Sequence, residues 1–524
     1  MRHRPPKSGI ALPVLAFLLV AVILAAPRPV LAQAGDGPRF AVSGFVVEGA
    51  NPLPASETRR ILEPFTGRSV SLDDLQAAAA ALEDALKAAG YGVVRVVLPP
   101  QDTGGEIRLR VLTFTLGAVK VTGNRHFDVA SIRRSLPSLR PGETPNLRAL
   151  ARDQALANDH PSKQVQVALS PGTVADTVDA DVRVEDGAPL HFFGSLNNSG
   201  AGRSGRWRLG LGVSHANLFD RDHAVTATWS TSPGHTSEIQ QYGIHYRAPF
   251  YKLGGALSAY YTRSDSNSGT VAEFFQVSGS GQFAGLRWTQ RFAPVGAWSH
   301  AADIGLEDRL FDNNVTFNGT PIGVDVRSRP LLLRHEGRLA GAGFQVSHAL
   351  ELAHNLRGGR ANADAAYAGN RAGAERDWSA LRVNLQAVTD LSGWVASARL
   401  RGQWTGDALI AGEQFGLGGA QGLRGLEERE GIGDRGHLAT LEFTTPPLAE
   451  GLRALAFMDT GRAQLRAAGG AAAATAHATS FGFGVRWQWR RQLSVSVDAA
   501  RVASAGGGLR TGDGRLHASL AVRF

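Results

Sequence analysis

The sequence predicts a transmembrane β-barrel of about 16 antiparallel strands, preceded by two α+β domains. Three observations predict it. The chain has 524 residues, too many for one ordinary domain, and opens on a basic and then apolar leader. Residues 40–188 run twice through the same order of strand-like and helix-like segments. From His191 onward, segments of about ten residues alternate apolar and polar side chains between Gly, Asn, Asp and Pro clusters, as membrane β-barrel strands do.

The leader carries Arg2, Arg4 and Lys7, then an apolar run from Ile10 to Ala26. Val30 and Ala32, or Ala32 and Ala34 one register later, stand where a signal peptidase reads small residues, so 1–32 reads as a cleavable secretory signal. The alternative is a membrane anchor helix, which Pro13 and the cleavage-like spacing disfavour. Removing 1–32 takes away four basic residues and no acid, so the formal charge falls from +9 to +5. The remaining basic residues are scattered, without the clustered patch and module that nucleic-acid binding needs. There is no cysteine, which excludes a disulfide framework and any thiolate metal site.

The first α+β domain spans 40–113. Phe40–Gly49 is strand-like, and Ser56 is placed to cap a short helix ending near Pro64. Ser71 with Asp74 makes a capping-box pattern. Leu75, Ala79, Leu82 and Leu86 then share one helical face, and Gly90 marks the helix stop. Val93–Leu98 and Glu106–Leu112 are short strands. The second domain, 114–188, repeats this order. Leu116–Thr122 is a strand, Asp128 and Asn146 cap two helices, and Gln164–Leu169 and Thr177–Val184 are strands.

Sixteen strand-like segments follow within 190–524, from 191–198 to 514–524. Short connections (216–221, 248–253, 446–450) alternate with long ones (312–324, 356–375, 405–436), as periplasmic turns alternate with outer loops. In the last segment Leu516, Ala518, Leu520, Val522 and Phe524 share one face, and His517, Ser519 and Arg523 the other. Trp207, Trp229, Tyr246, Tyr251, Trp288, Trp394 and Trp487 fall at positions suited to aromatic girdles. A soluble sandwich or propeller is the alternative, but neither needs such girdles nor a terminal phenylalanine.

These residues resemble the transporters of two-partner secretion, of the haemolysin/haemagglutinin activation-secretion type, in the superfamily that joins POTRA domains to an outer-membrane barrel. The resemblance runs through Gly90-Tyr91 with Leu98-Pro99-Pro100-Gln101, then Val121-Thr122-Gly123-Asn124. It continues through Pro141-Gly142-Glu143 leading to Asn146-Leu147-Arg148, His160-Pro161, and Leu169-Ser170-Pro171-Gly172. Gly194–Gly200 and Ala216-Asn217-Leu218-Phe219 fit the first barrel strands. The most specific piece is Gly422-Leu423-Arg424-Gly425-Leu426. The superfamily carries Val/Ile-Arg-Gly-aromatic at the tip of a loop that folds into the barrel, here 405–436. Leu426 departs from the aromatic.

The resemblance implies a lock. Arg424 at the loop tip would pair with Asp459 of the Phe457-Met458-Asp459-Thr460-Gly461 pattern, with Glu442 as a second acid. The alternative is that Arg424 is an ordinary exposed loop arginine. Phe524 would act as the barrel assembly signal. Between the leader and Phe40 no room is left for the plug helix that some members carry. The implied partner is a large secreted exoprotein of adhesin or haemolysin type, recognised unfolded by the periplasmic POTRA domains and passed through the barrel to the cell surface. Outer-membrane lipids and the barrel assembly machinery are the other implied partners. The rival function is an outer-membrane protein assembly insertase. Such proteins usually carry more POTRA repeats than the two seen here.

No catalysis is expected, and no cofactor. Gly418–Gly425 is glycine-rich but lacks the Gly-Lys-Ser/Thr ending of a phosphate loop, and there is no Gly-x-Ser-x-Gly elbow. His348 and His354 share a strand face, and they read as lumen-facing polar residues rather than metal ligands.

Overall fold

The computed structural model describes residues 39–524 except 68, 103–104, 201–204, 238, 266–268, 272–274, 278–279, 313–315, 318–319, 322–323 and 469. The expected signal 1–32, and most of the interval between it and Phe40, lie outside the described residues.

The first domain is an α+β unit. Strands β1 (Phe40–Gly49), β2 (Ser69–Val70), β3 (Val94–Val97) and β4 (Gly105–Thr113) form a sheet in the order β2-β1-β4-β3. Helices α1 (Ala55–Leu62) and α2 (Leu72–Ala88) accompany it. The capping box opens α2: the Asp74 N–H donates to Ser71 Oγ at 3.2 Å, and the Ser71 N–H donates back to the Asp74 carboxylate at 2.8 Å. Leu75, Ala79, Leu82 and Leu86 are all buried, as their spacing requires. The cap of α1 differs from expectation. The helix starts two residues earlier, at Ala55, with Pro54 as its N-cap and Ser56 inside the first turn. The Pro54 carbonyl accepts the Glu57 and Thr58 N–H groups, each at 3.0 Å, and the helix has no side-chain cap.

The second domain repeats the plan. Strands β5 (Thr115–Thr122), β6 (Lys163–Pro171) and β7 (Thr177–Asp186) form a sheet in the order β5-β7-β6, with helices α3 (Val129–Arg134) and α4 (Leu147–Asn158). Asp128 and Asn146 cap these helices, accepting from Ser131 N at 2.6 Å and Ala149 N at 3.0 Å. One backbone detail recurs in both domains. Gly49 (φ 90°) and Gly123 (φ 87°) end the first strand of each, where a Cβ would sit 2.3 Å and 2.4 Å from the carbonyl oxygens of Val111 and Val184. Only glycine tolerates both the left-handed backbone and that approach.

Among the described residues, sixteen antiparallel strands then close a barrel. They are β8 (Leu190–Asn197), β9 (Arg208–Leu218), β10 (His223–Thr231), β11 (Gln240–Phe250), β12 (Gly255–Ser264), β13 (Gly281–Arg291), β14 (Trp298–Phe311) and β15 (Val326–Ser328 continued by Pro330–Gly341). The rest are β16 (Phe344–Asn355), β17 (Ser379–Leu391), β18 (Trp394–Trp404), β19 (Arg435–Thr444), β20 (Leu452–Leu465), β21 (Ala474–Trp489), β22 (Leu493–Gly506) and β23 (Gly514–Arg523). Each expected segment overlaps one of them. Closure joins β23 to β8, from Ser519↔Asn197 to Arg523↔Phe193. Backbone bonds between Phe524 and Phe192 at 2.8 Å and 3.1 Å complete the seam.

The two barrel faces separate by chemistry. Leu333, Leu339, Leu350, Leu352, Phe481 and Leu516 are exposed on the outer wall, while Asp303, Glu307, Asp459, Asp498 and His517 are buried on the inner one. A barrel in lipid satisfies its backbone between strands and turns its apolar side chains outward. Trp207, Trp394 and Trp487 are exposed. Two expectations fail here. Tyr251 is buried and donates a hydrogen bond to Asp222 at 2.7 Å, so it belongs to the barrel base and not to a girdle. His348 and His354 alternate in step with the exposed Phe344, Val346, Leu350 and Leu352, so they lie on the outer wall and not in the lumen. Spacing showed that they share a face but not which one.

The second domain is fixed to the short-turn end of the barrel by buried polar contacts. Lys163 and Asp222 form an ion pair at 2.5 Å with both side chains buried. Ser131 Oγ also donates to Asp222. Burial alone would raise the Asp222 carboxyl. The Lys163 ammonium and the Tyr251 hydroxyl outweigh it and hold the group below the usual carboxylate range. Asp159 binds Arg291 at 2.7 Å and Arg247 at 3.5 Å. His160 is buried edge-on to Phe127, donates from Nε2 to the Ala216 carbonyl at 2.6 Å, and accepts the Ser162 N–H on Nδ1 at 3.2 Å. Both ring nitrogens are used by the neutral form. Burial, and next the Lys163 charge, lower its pKa from 6.5 to about 4.

That shift predicts acid sensitivity of the junction. Between pH 4 and 6.5 the unfolded histidine binds more protons than the folded one. The stability it contributes is complete above pH 6.5 and is lost as the pH falls toward 4. The loss is on the order of 3 kcal/mol. Hydrogen exchange over 156–166 should therefore speed up between pH 7.5 and 5 in the native chain, beyond the intrinsic change, and less so in His160→Gln. Equal acid response in both would contradict the assignment.

Candidate functional site: an inward loop and its acid partners

The connection from β18 to β19, residues 405–434, folds into the lumen. Its own ends pair as a short ladder, Phe415↔Gly433 and Gly416↔Ile432. The tip carries Gly422-Leu423-Arg424-Gly425-Leu426. Arg424 is 3% exposed and Asp459, on β20, is fully buried. The arginine donates from its backbone N–H and from Nε to Asp459 Oδ2 at 3.0 Å and 2.9 Å, and from Nη2 to Oδ1 at 3.0 Å. This is a two-point fork with a third bond from the backbone, the geometry in which arginine holds a carboxylate best. Nη1 lies 3.2 Å from Glu442 on β19 and 3.6 Å from Asp498 on β22. The guanidinium also sits 3.4 Å from the ring centroid of Phe457.

The neighbours of Arg424 set its position. Leu423 and Leu426 are buried in one apolar cluster with Leu417, Leu438, Ala463, Ala478 and Val502. Leucine fills the place where an aromatic is usual. Gly422 packs so closely that a Cβ would stand 2.2 Å from the Leu417 carbonyl oxygen. Gly425 has φ 104° and donates its N–H to His517 Nε2 at 3.4 Å. The structure thus brings Gly422–Leu426, Glu442 and Asp459 together, and leaves Phe524 apart at the barrel seam with its ring 72% exposed.

Two further acids hold the base of the loop, and sequence reading missed both. Glu413 is buried and accepts from Arg309 on β14 at 2.7 Å, Arg382 on β17 at 2.9 Å and Ser328 on β15 at 2.6 Å. Asp434 is buried and accepts from Arg371, from Leu409 N at 2.9 Å and from Arg466 N at 2.8 Å. Arg371 follows a short helix, α5 (Asp364–Asn370), in the connection 356–378. That connection packs Tyr367 and Trp378 against Phe283, Phe311, Leu409 and Ile410 near the long-loop end of the barrel. One signal was available: Arg309 shares its strand face with Asp303 and Glu307, which marks an inner wall rich in charge.

Chemically, the arrangement clamps a loop across a lumen. It offers no nucleophile with a base, and among the described residues no group of three or more His, Cys, Asp or Glu is placed to hold a metal ion.

Comparison with known proteins gives the class. The family model for "Haemolysin secretion/activation protein ShlB/FhaC/HecB" matches residues 177–487, more than half of the chain, and a ShlB-type POTRA domain model matches 40–113. The chain belongs to the haemolysin secretion/activation family ShlB/FhaC/HecB. It is an outer-membrane two-partner-secretion transporter, non-catalytic, with its POTRA domains in the periplasm and an unfolded secreted protein as its cargo. It is 24% identical over 467 residues to the outer membrane transporter CdiB of Escherichia coli, covering 83% of this chain and 74% of that protein. The fold resembles solved CdiB structures from Escherichia coli (TM-score 0.75, 19% identity, 96% of this chain and 93% of that one) and Acinetobacter baumannii (0.70, 16%, 95% and 93%).

Removing Glu413 should loosen the loop base without touching the tip. Glu413→Ala takes the shared buried acid from Arg309 and Arg382, which are half-buried and keep only Glu307 and Glu351, a change that costs at most about 3–5 kcal/mol, the figure for a broken buried pair. Heat-modifiability on gels should show a lower melting temperature for the variant barrel, and Glu413→Gln should recover part of it. An unchanged melting temperature would mean the cluster bears no load.

Proposed function

We propose that loop 405–436 is the gate of this transporter and that Arg424 and Asp459 form its lock, with Glu442 as a supporting acid. The observation that carries this reading is the dry, two-point ion pair between a loop tip and the barrel wall. The pore opens when the tip leaves the wall. We further assign 40–113 and 114–188 as two POTRA units on which the unfolded partner docks, an extended chain adding to an open sheet edge. The partner is a large exoprotein of adhesin or haemolysin type. Phe524 is the signal through which the barrel assembly machinery recognises the chain, because it ends an alternating apolar face.

One secretion assay tests these assignments, with partner in the medium normalised to folded barrel. Arg424→Ala and Asp459→Ala should each sharply reduce secretion while barrel insertion stays near normal. The double variant should be little worse than either, since all three remove one contact. Strictly additive losses would mean that the two residues act separately. Deleting 40–188 should leave an inserted barrel that does not secrete, and normal secretion by that form would remove the docking role.

Deleting Phe524 should instead lower the amount of folded barrel itself. Equal barrel levels at native expression would refute the assembly signal.

A further inference from the structure

The turn from β9 to β10 is held in an unusual shape. Phe219, Asp220 and Asp222 all have left-handed backbones, with φ 60°, 52° and 61°. No glycine stands between Leu218 and His223 to ease this. A Cβ disfavours that region, and a bulky side chain such as Phe219 is worst placed in it. Phe219 gains no packing in return, since it is 75% exposed. Such a shape persists only where surrounding contacts over-determine it.

Those contacts come from both sides of the junction. Within the barrel, the Asn217 side chain accepts the Asp222 N–H at 3.1 Å and donates to the Asp220 carboxylate at 3.2 Å. Tyr251, in the turn from β11 to β12, donates to Asp222 Oδ2. The second domain supplies the rest. Arg134 on α3 donates to the Asp220 carbonyl. Ser131 on α3 donates to Asp222 Oδ1, and Lys163 on β6 donates to Oδ2. The turn thus offers one carboxylate to a pocket that the second domain completes.

Lys163 makes the fit exacting. Its side chain is fully buried, with the ammonium 5.2 Å from the Phe127 ring and 5.9 Å from the Tyr251 ring. Both rings belong to one apolar cluster that runs through the second domain and on into the barrel at Tyr251 and Ala256. Among the described residues, the carboxylate in ion-pair contact with this ammonium comes from the barrel. Apolar surfaces tolerate a small slide. A buried ammonium does not, because a displaced carboxylate leaves its charge unanswered. Such a pair adds little affinity over apolar packing, so its effect falls on orientation.

We propose that Lys163 and Asp222 form an orientation latch that holds the second domain in one pose on the turns of the barrel and so aims bound cargo at the lumen. Both are positioning residues, acting on secretion through the pose of the domain. The latch has two states. When the domain leaves, the turn loses the clamps from Ser131, Arg134 and Lys163, relaxes out of its left-handed shape and withdraws Asp222. Intermediate poses are therefore not held. This rests on the reading that cargo docks on 40–188.

The test reads pose and secretion separately. The chain has no cysteine, so spin labels at Gln166→Cys on β6 and Leu448→Cys in the turn 446–450, both exposed, report the distance from the second domain to the barrel. Pulsed electron spin resonance on the purified full chain should give one narrow distance. Lys163→Met with Asp222→Leu replaces the pair by apolar side chains, an exchange that buried pairs often tolerate without loss of stability. This double variant should give a broadened distance. Its secretion per folded barrel should fall about tenfold or more, the scale of a lost charge-assisted hydrogen bond. An unchanged narrow distance, or secretion at the native level, would overturn the latch. Should the double variant fold poorly, Phe219→Gly relieves the strain and removes no polar contact. The urea concentration at which the distance broadens should rise in that variant, and a fall would overturn the two-state turn. The deletion of 40–188 separates the two readings. Normal secretion by the deleted form removes the docking role itself, whereas secretion lost there but kept in the double variant refutes the latch alone.

Discussion

An arginine carried into the lumen of a barrel has to be neutralised by the wall, and much of this structure follows from that demand. Arg424 is 3% exposed, too dry for water to answer its charge. Asp459, Glu442 and Asp498 answer it from three different strands. Those strands must hold their register for the acids to converge, so the loop contact also reports on the wall. Arg486 binds Asp498 at 2.6 Å from a fourth strand and balances the excess of acid around the tip. The apolar cluster of Leu423 and Leu426 then excludes water from the pair, which strengthens it and makes losing either partner costly.

The barrel was legible because its rule is simple. Alternation at period two and turn residues at strand ends locate each strand, and every expected segment meets one observed strand. The loop tip was legible only through its resemblance to a known motif, since a lone arginine in a glycine-rich loop has no periodicity. Glu413 and Asp434 illustrate what stays hidden. Each is a single acid near one end of a long loop, and its partners are up to 104 residues away in sequence. No local pattern points to them. Only the charged inner face of β14 hinted that a buried acid was wanted nearby.

Errors of facing have a different cause. Polarity alone points His348 and His354 to the lumen, where polar side chains of a barrel usually face. The parity of Val346, Leu350 and Leu352 places them outside instead. Tyr251 reads as a girdle residue because an aromatic beside a turn looks the same whether it meets a membrane or a second domain. The difference lies in Asp222 and Lys163, which arrive from elsewhere in the chain. Ser56 failed as a cap because Pro54 already set the helix start. In each case a local signal was read correctly as a type of position, and the tertiary neighbour decided its use.

The three acid sites differ in what moving the loop would cost. Releasing the tip breaks the Arg424 fork to Asp459 with its pairs to Glu442 and Asp498 and unpacks Leu423 and Leu426, and water entering the lumen would solvate the separated charges. Releasing the base breaks the contacts of Glu413 with Arg309 and Arg382 and those of Asp434 with Arg371, and it unpacks Leu409 and Ile410 from Tyr367 and Trp378. At about 3–5 kcal/mol for each buried pair broken, full release would approach the whole stability of a small domain, about 5–15 kcal/mol. The ladder of 415–416 with 432–433 also ties the two ends of the loop together. The cheaper motion keeps that base on the wall and swings the segment between the ladder strands. Gly418, Gly419, Gly422 and Gly425 fall inside that segment, and Gly431 (φ 73°) lies just before the returning strand. Backbone freedom is thus concentrated between anchors, where a tip held by the Arg424 acid cluster and the packing of Leu423 and Leu426 can move while two buried acids keep its root in place.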